Sequence, residues 1–199
     1  MNIVDRAKNI LLTPKPEWVI INNERSSVAT VLTSYVLPLL AIGVVATFIG
    51  QGLIGRNVYG YSTASVKTGL ISAVIFVIAS VIHVFVLAGI IEVLAPSFNS
   101  EKNWEKSFEL AGYSLTAAFV GAIFMLFPAL SILVILCSIY SLYALYTGIP
   151  IMKKTPEDKQ VGYLAVIVLL TIVAMILIGL LQAEIMKAFY RPSVPTFRF

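Results

Sequence analysis

The sequence predicts an all-α polytopic membrane protein with five transmembrane helices, and two observations support that prediction. Apolar residues make up 59% of the 199 residues and charged residues 12%, whereas soluble proteins average about 45–50% and about 25%. Residues 110–152 then run for 43 positions without one charged side chain. One helical crossing of a hydrocarbon core takes roughly twenty residues, so this run is long enough for two crossings.

The turn between these two crossings is predicted at Pro128, because a proline ring removes a backbone donor and clashes with the preceding helical turn. Three further charge-free runs supply the other crossings, and Pro38 predicts a bend in the first. Thr155 as a cap and Pro156 as the first helical residue mark the start of the last span. The predicted spans are 28–53, 67–95, 107–127, 129–149 and 156–187.

Residues 1–27 are predicted to form two short cytosolic helices, ahead of a transmembrane domain over 28–190 and a tail over 191–199. Apolar residues in the first of these helices recur at helical spacing, opposite charged ones. Two interpretations stay open. The helices lie in the membrane interface with Trp18 at headgroup depth, or they pack on the protein's own cytosolic face.

The distribution of positive charge predicts the orientation of the chain. With five spans, nine Lys and Arg residues fall on the side of the N-terminus and five on the other side. The positive-inside rule therefore predicts a cytosolic N-terminus and a C-terminus outside the cytosol.

Small residues recur at four-residue spacing along the spans, which favours close packing of helix backbones. The sequence therefore predicts a compact bundle, and packing within one chain is favoured over packing on a second copy. These pairs are Gly43 with Thr47, Ala46 with Gly50, Gly69 with Ala73, Ala117 with Gly121, and Gly179 with Ala183.

Three ionisable residues inside spans are the default candidates for function. Glu92 and Glu109 lie about one turn from span ends, where pairing with lysines is favoured over a shared divalent cation. His83 is the only histidine, and a hydrogen-bonded packing role is favoured over a proton relay or a ligand. Glu184 and Lys187, three residues apart, are predicted to pair with each other.

The sequence contains no recognisable catalytic, metal-binding or cofactor-binding set of residues. A nucleophile needs a base within hydrogen-bond reach, and nothing in the sequence ties the lone Cys137 to His83. There is no glycine-rich phosphate loop and no paired cysteine set. The sequence therefore favours a protein that is not an enzyme, has no cofactor and does not bind nucleic acid.

Two stretches carry a resemblance to a known family. Residues 143–159 (YALYTGIPIMKKTPEDK) and 104–114 (WEKSFELAGYS) resemble the end of span four and the start of span three in Yip1-domain proteins of the short prokaryotic type. The opening residues 7–14 (AKNILLTP) fit the same type. Thr116 and Ala117 stand where the family often has a proline, so the kink that such a proline would cause is not predicted here.

The resemblance implies a five-span fold with a cytosolic N-terminus in a bacterial inner membrane. Eukaryotic members of the family take part in vesicle traffic and bind prenylated Rab-type GTPases, a role that a prokaryotic cell would not need. We therefore expect a membrane scaffold or adaptor whose cytosolic face meets a protein partner or lipid headgroups, with homo-oligomers left open. The residues expected at that face are Trp18, Arg25, Trp104, Lys153, Lys154 and Asp158.

The alternative is a small transporter or an oligomeric channel that uses His83, Glu92 and Glu109. One feature separates the two hypotheses. A conducting protein should have a water-accessible path that reaches His83, whereas apolar packing should seal this residue in a scaffold.

Overall fold

The computed structural model describes residues 2–55, 57–58, 61–62 and 64–189, and this part of the chain is almost entirely helical. A two-stranded antiparallel hairpin, β1 (Asn57–Val58) and β2 (Tyr61–Ser62), follows the first span. The α-helices are α1 (Ile3–Leu12), α2 (Pro14–Asn23), α3 (Val28–Val31), α4 (Leu37–Ile49), α5 (Val66–Leu94), α6 (Trp104–Ser114), α7 (Thr116–Gly121), α8 (Ser131–Lys153) and α9 (Glu157–Phe189).

Short turns of other helix types connect several of these elements. The π-helical turns are Leu32–Val36 and Gly50–Ile54, and the 3₁₀ turns are Ala95–Phe98, Ala122–Leu126 and Pro128–Leu130.

Among the described residues, five helical stretches are long and apolar enough to cross a membrane, which confirms the predicted fold class. The sides on which the two termini emerge stay a prediction from the positive charges. In chain order the spans are Val28–Ile54, Val66–Phe98, Trp104–Leu126, Ile132–Lys153 and Glu157–Lys187.

The first span widens into a π turn immediately before Pro38. The backbone N–H of Leu37 bonds to the carbonyl of Leu32, five residues back, instead of four. Such a turn accommodates a proline inside a helix, because the ring cannot donate and would clash with the carbonyl of a regular turn. The predicted irregularity in this span therefore has a local cause.

The third span is broken between α6 and α7 although it contains no proline. Leu115 leaves the α-helical conformation with φ −78° and ψ 2°. The hydroxyl of Ser114 donates to the carbonyl of Ala111 at 3.0 Å, and that of Thr116 donates to the carbonyl of Tyr113 at 2.6 Å. Hydroxyls that bond back to the preceding turn bend helices, so serine and threonine mark the break that a proline marks elsewhere.

The third span is the most buried of the five candidate spans, and the second span contacts three of the others. Its helix α5 packs against α4 of the first span, α6 of the third and α9 of the fifth, while α8 packs against α6, α7 and α9. The fifth span contacts only one side of the bundle, and most of its side chains are exposed. In a bilayer these exposed apolar side chains face lipid.

Most of the predicted small-residue pairs lie at contacts between spans. A β-carbon on Gly69 would lie 2.6 Å from the Cα of Gly52, and one on Gly121 would lie 2.5 Å from the Cβ of Cys137. The backbones approach this closely only because both positions lack a side chain. Gly179 differs, since a β-carbon there would have no neighbour within 4 Å among the described residues.

The N-terminal helices α1 and α2 pack on the protein itself. Trp18 is 0% exposed, and its indole Nε1 donates to the carbonyl of Ala144 in α8 at 3.1 Å. The ring also lies against Gly148, where a β-carbon would come within 2.7 Å of it, and edge-on to Tyr113. Of the two interpretations that the sequence left open, the structure supports packing on the protein's own face.

A buried ion pair joins α1 to α2. The guanidinium of Arg6 donates to Glu17 at 2.7 Å and to Glu24 at 2.5 and 2.7 Å, and Asn9 donates to the second oxygen of Glu17 at 2.9 Å. The side chains of Arg6 and Glu17 are only 6% and 2% exposed. Burial alone would lower the pKa of Arg6, but the hydrogen bond and charge of Glu24, with smaller effects from Tyr113 and Glu17, raise it. Arg6 therefore stays charged.

Replacement of Arg6 by leucine is expected to release the α1–α2 hairpin. The substitution leaves Glu17 buried without a cation, a change that typically destabilises by about 3–5 kcal/mol. Lys8→Leu is the matched control, because Lys8 lies on the same helix and is exposed. Hydrogen exchange of residues 3–23, measured by mass spectrometry in nanodiscs, should quicken at least about 100-fold in Arg6→Leu and little in Lys8→Leu. Equal exchange in the two variants would contradict the assigned ion pair.

Candidate functional site

The six residues predicted for the cytosolic face divide into an exposed and a buried group. Arg25, Lys154 and Asp158 are exposed, and Trp104 is 41% exposed. Trp18 and Lys153 are each 0% exposed and belong to the packed interior. The expectation that these two residues present a contact surface is therefore corrected: a tryptophan that fills a gap between helices and a lysine enclosed by acceptors are not accessible to a partner.

Lys153 ties three spans together at the end of the bundle that the positive charges predict to be cytosolic. Its Nζ lies 3.0 Å from Glu92 Oε2 in the second span, and it donates to Ser107 Oγ at 2.7 Å and to the Asn103 carbonyl at 3.2 Å. The same carboxylate oxygen accepts from the Asn103 N–H and from the Ser107 hydroxyl. A buried charge is tolerated when it is paired and its hydrogen-bonding capacity is used, and both conditions hold here.

Lys106 makes the corresponding connection to α2. Its Nζ lies 2.9 Å from Glu109 Oε2 and also donates to the carbonyls of Ile21, Asn22 and Glu24 at 3.0–3.3 Å. A cation at the C-terminal end of a helix satisfies its free carbonyls and interacts favourably with its dipole. The predicted pairing of Glu92 and Glu109 with lysines is confirmed.

The loops at the same end are also joined. Lys154 pairs with Glu101 at 2.6 Å, both side chains being exposed, and the Glu101 N–H donates to the Lys153 carbonyl at 2.8 Å. The Thr155 hydroxyl lies 2.8 Å from Ser100 Oγ, and α9 begins at Glu157, one residue later than the capping pattern predicts. The ends of spans two to five on this side of the bundle, which is predicted to be cytosolic, thus form one connected surface.

His83 lies in the middle of α5, beside two adjoining cavities. The first, of about 380 Å³, is enclosed by spans two to five; the second, of about 420 Å³, extends towards Gln51 and Gln182 at the other end of the bundle. Residues that line both cavities are Phe76, Ser80, His83, Met125 and Met175.

His83 Nε2 and Thr171 Oγ1 are buried and have no hydrogen-bond partner within the part of the chain that the structure describes. For Nε2, the predicted hydrogen-bonded packing role is therefore wrong. The second cavity is more polar, since Ser72 donates to Gln51 Oε1 at 2.7 Å beside it. His83 therefore borders both cavities, while its Nε2 atom is itself buried.

The structure does not bring the three intramembrane candidates together. His83 lines the cavities, whereas Glu92 and Glu109 are bound to lysines at one end of the bundle and line neither cavity. Glu184 and Lys187 pair at 2.7 Å, as predicted. The predicted tail over 191–199 lies outside the described residues.

Sequence reasoning missed two residues that the structure makes important. Thr171 is the one hydroxyl in a long aliphatic run of the fifth span, and polarity inside a span was a signal that could have identified it. Arg6 gave no such signal, because charges in a short terminal helix usually face water. Its burial depends on contacts with α2 and the third span.

These features define a class: a multi-pass helical membrane protein with paired charges at one end of its bundle and apolar cavities between its spans. Its sequence matches the Yip1 domain over residues 8–180. The chain belongs to the Yip1 domain family, as its resemblance in residues 104–114 and 143–159 predicted.

Curated relatives agree with this assignment. The chain is 31% identical over 118 residues to the inner membrane protein YohC of Escherichia coli K12, and equally so to YohC of E. coli O6:H1. The matched region covers 58% of this chain and 60% of each relative, less than two thirds of their length. No solved structure matches the chain. The protein is a multi-pass protein of the bacterial inner membrane.

Removal of the Lys153 charge is expected to destabilise the bundle. Lys153→Met leaves the Glu92 carboxylate without its cation and should lower the free energy of unfolding by about 3–5 kcal/mol. Lys154→Met breaks only an exposed pair and should change it by less than about 1 kcal/mol. Titration with SDS in mixed micelles measures the free energy of unfolding of both variants. Glu92→Gln should lower the free energy of unfolding less in the Lys153→Met background than in the wild-type protein. Fully additive effects would contradict the pairing.

Proposed function

We propose that this protein is a non-enzymatic membrane scaffold or adaptor whose cytosolic face contacts a protein partner or lipid headgroups. Proteins of this family are not known as enzymes. The main support is the connected end of the bundle, cytosolic by the positive-inside rule, where Lys153, Lys106 and Arg6 hold three spans and two terminal helices in one arrangement.

A fixed surface favours binding, because little conformational freedom is lost when a partner docks on it. The connected cytosolic end displays an exposed tryptophan, Trp104, together with the charged side chains of Arg25, Lys154 and Asp158. Aromatic side chains and arginine commonly dominate binding energy at protein interfaces, and basic side chains attract anionic headgroups. These four residues form the proposed contact surface.

Photocrosslinking in living cells tests this proposal. A photoreactive amino acid at Trp104 or Asp158 should give a discrete adduct, to a protein or to phospholipid, that mass spectrometry identifies. The adduct should weaken in an Arg25→Glu, Lys154→Glu variant, because both substitutions reverse exposed charges without disturbing the buried pairs. The control position is Val74, which is 56% exposed on the second span. The same adducts from Val74 as from Trp104 would contradict a contact surface.

A small transporter or an oligomeric channel is the second candidate, and the cavities beside His83 favour it. The absence of Glu92 and Glu109 from the lining of these cavities removes two of its three proposed residues. Ion or proton flux in proteoliposomes that is lost in His83→Leu and kept in Thr33→Val would favour this candidate over the scaffold.

A further inference from the structure

We propose that the cavity enclosed by spans two to five binds an uncharged, lipid-soluble alcohol whose hydroxyl group is held by His83 and Thr171. The cavity has a volume of about 380 Å³, within the range of about 300–1,000 Å³ found for small-molecule sites. This inference concerns the interior of the bundle and does not depend on the proposed cytosolic contact surface.

The polar end of the site is defined by the two unpartnered atoms. His83 and Thr171 line the same cavity from the second and fifth spans. His83 Nε2 and Thr171 Oγ1 are buried, and neither has a hydrogen-bond partner among the residues that the structure describes. An unpaired polar atom in a low-dielectric interior is costly. A ligand that bonds to these atoms removes that cost.

Three of the four serine hydroxyls around the cavity are already engaged, and the fourth serine, Ser80, lies one turn before His83 on α5. Ser138 donates to the carbonyl of Val134 at 2.9 Å, and Ser114 donates to that of Ala111 at 3.0 Å. Ser141 accepts from the backbone N–H of Ala118 at 3.2 Å. Free hydrogen-bonding capacity is therefore concentrated on one side of the cavity, at His83 and Thr171 with Ser80 beside them.

The charge of the lining selects an uncharged ligand. None of the described residues that line this cavity is Lys, Arg, Asp or Glu. A carboxylate, phosphate or ammonium group would lack a countercharge here, and burial of an unpaired charge is strongly unfavourable. Apolar residues dominate the remaining wall, which fits an alkyl or isoprenoid chain.

The position of the rim indicates access from the bilayer. Leu142 in the fourth span and Ile172 and Met175 in the fifth line the cavity, yet they are 38%, 52% and 49% exposed. Their exposed side faces the hydrocarbon core in a membrane. A ligand dissolved in the bilayer can therefore enter between the fourth and fifth spans.

The two polar atoms favour a hydroxyl over other neutral groups. An imidazole nitrogen donates or accepts according to which ring nitrogen carries the proton, and a threonine hydroxyl does both. A ligand hydroxyl also donates and accepts, so it matches either protonation pattern. An ether or ester oxygen only accepts and matches one of them.

Photolabelling with three matched probes tests the proposal. The first is a sixteen-carbon primary alcohol that carries a diazirine and a terminal alkyne; the others end in a carboxylic acid or a methyl group. The full chain in phosphatidylcholine nanodiscs is labelled with each probe, and unlabelled 1-hexadecanol is the competitor. Thr171→Val and His83→Leu remove the polar atoms. Thr33→Val is the matched control, because Thr33 is exposed and donates to its own helix.

The alcohol probe should label cavity residues such as Phe119 and Met175 saturably, and hexadecanol should displace it. Half-saturation should need about fivefold more probe in Thr171→Val or His83→Leu, the loss of one hydrogen bond, and remain unchanged in Thr33→Val. Valine has nearly the shape of threonine, so Thr171→Val keeps the test decisive even where His83→Leu fails to fold. Non-saturable labelling, equal half-saturation for the methyl or acid probe, or wild-type binding by Thr171→Val would overturn the proposal.

Discussion

The hydrocarbon core offers no hydrogen-bond partners, and most of this structure can be understood as a response to that constraint. A polar group within a span is costly unless the protein satisfies it or it lies at an end. Lys153 with Glu92, and Lys106 with Glu109, meet this requirement through ion pairs supplemented by backbone and hydroxyl groups. Lys153 and Glu92 lie on different spans, and Lys106 also bonds to carbonyls at the end of α2. Satisfying these charges therefore also fixes the positions of the helices.

The two halves of the bundle meet the constraint differently. At the end that carries the N-terminal helices, ion pairs and the buried Arg6–Glu17 contact leave a densely connected assembly that includes these helices. In the middle and towards the other end, the spans separate enough to leave cavities beside His83. A fixed end suits contact with another molecule, and the cavities suit a ligand, so the two proposals concern different parts of one molecule.

Features set by local composition were predictable from the sequence. The number of spans follows from charge-free runs, and the pairing of Glu184 with Lys187 follows from helical spacing. Features set by contacts between distant segments were not predictable from the sequence. The burial of Trp18 requires Gly148, 130 positions further along the chain, to lack a side chain, and the cavity arises only where four spans meet. The break at Leu115 was missed because serine and threonine bend helices less regularly than proline does.

The most direct test of this account is the side of the membrane on which each end of the chain emerges. Single cysteines are introduced at Asn2 and Thr196 after Cys137 is replaced by serine, and intact cells are treated with a membrane-impermeant maleimide. Five crossings with the positive-inside orientation predict labelling at Thr196, and labelling at Asn2 only after the inner membrane is permeabilised. Labelling of both positions from the same side would show an even number of crossings and contradict the five-span account.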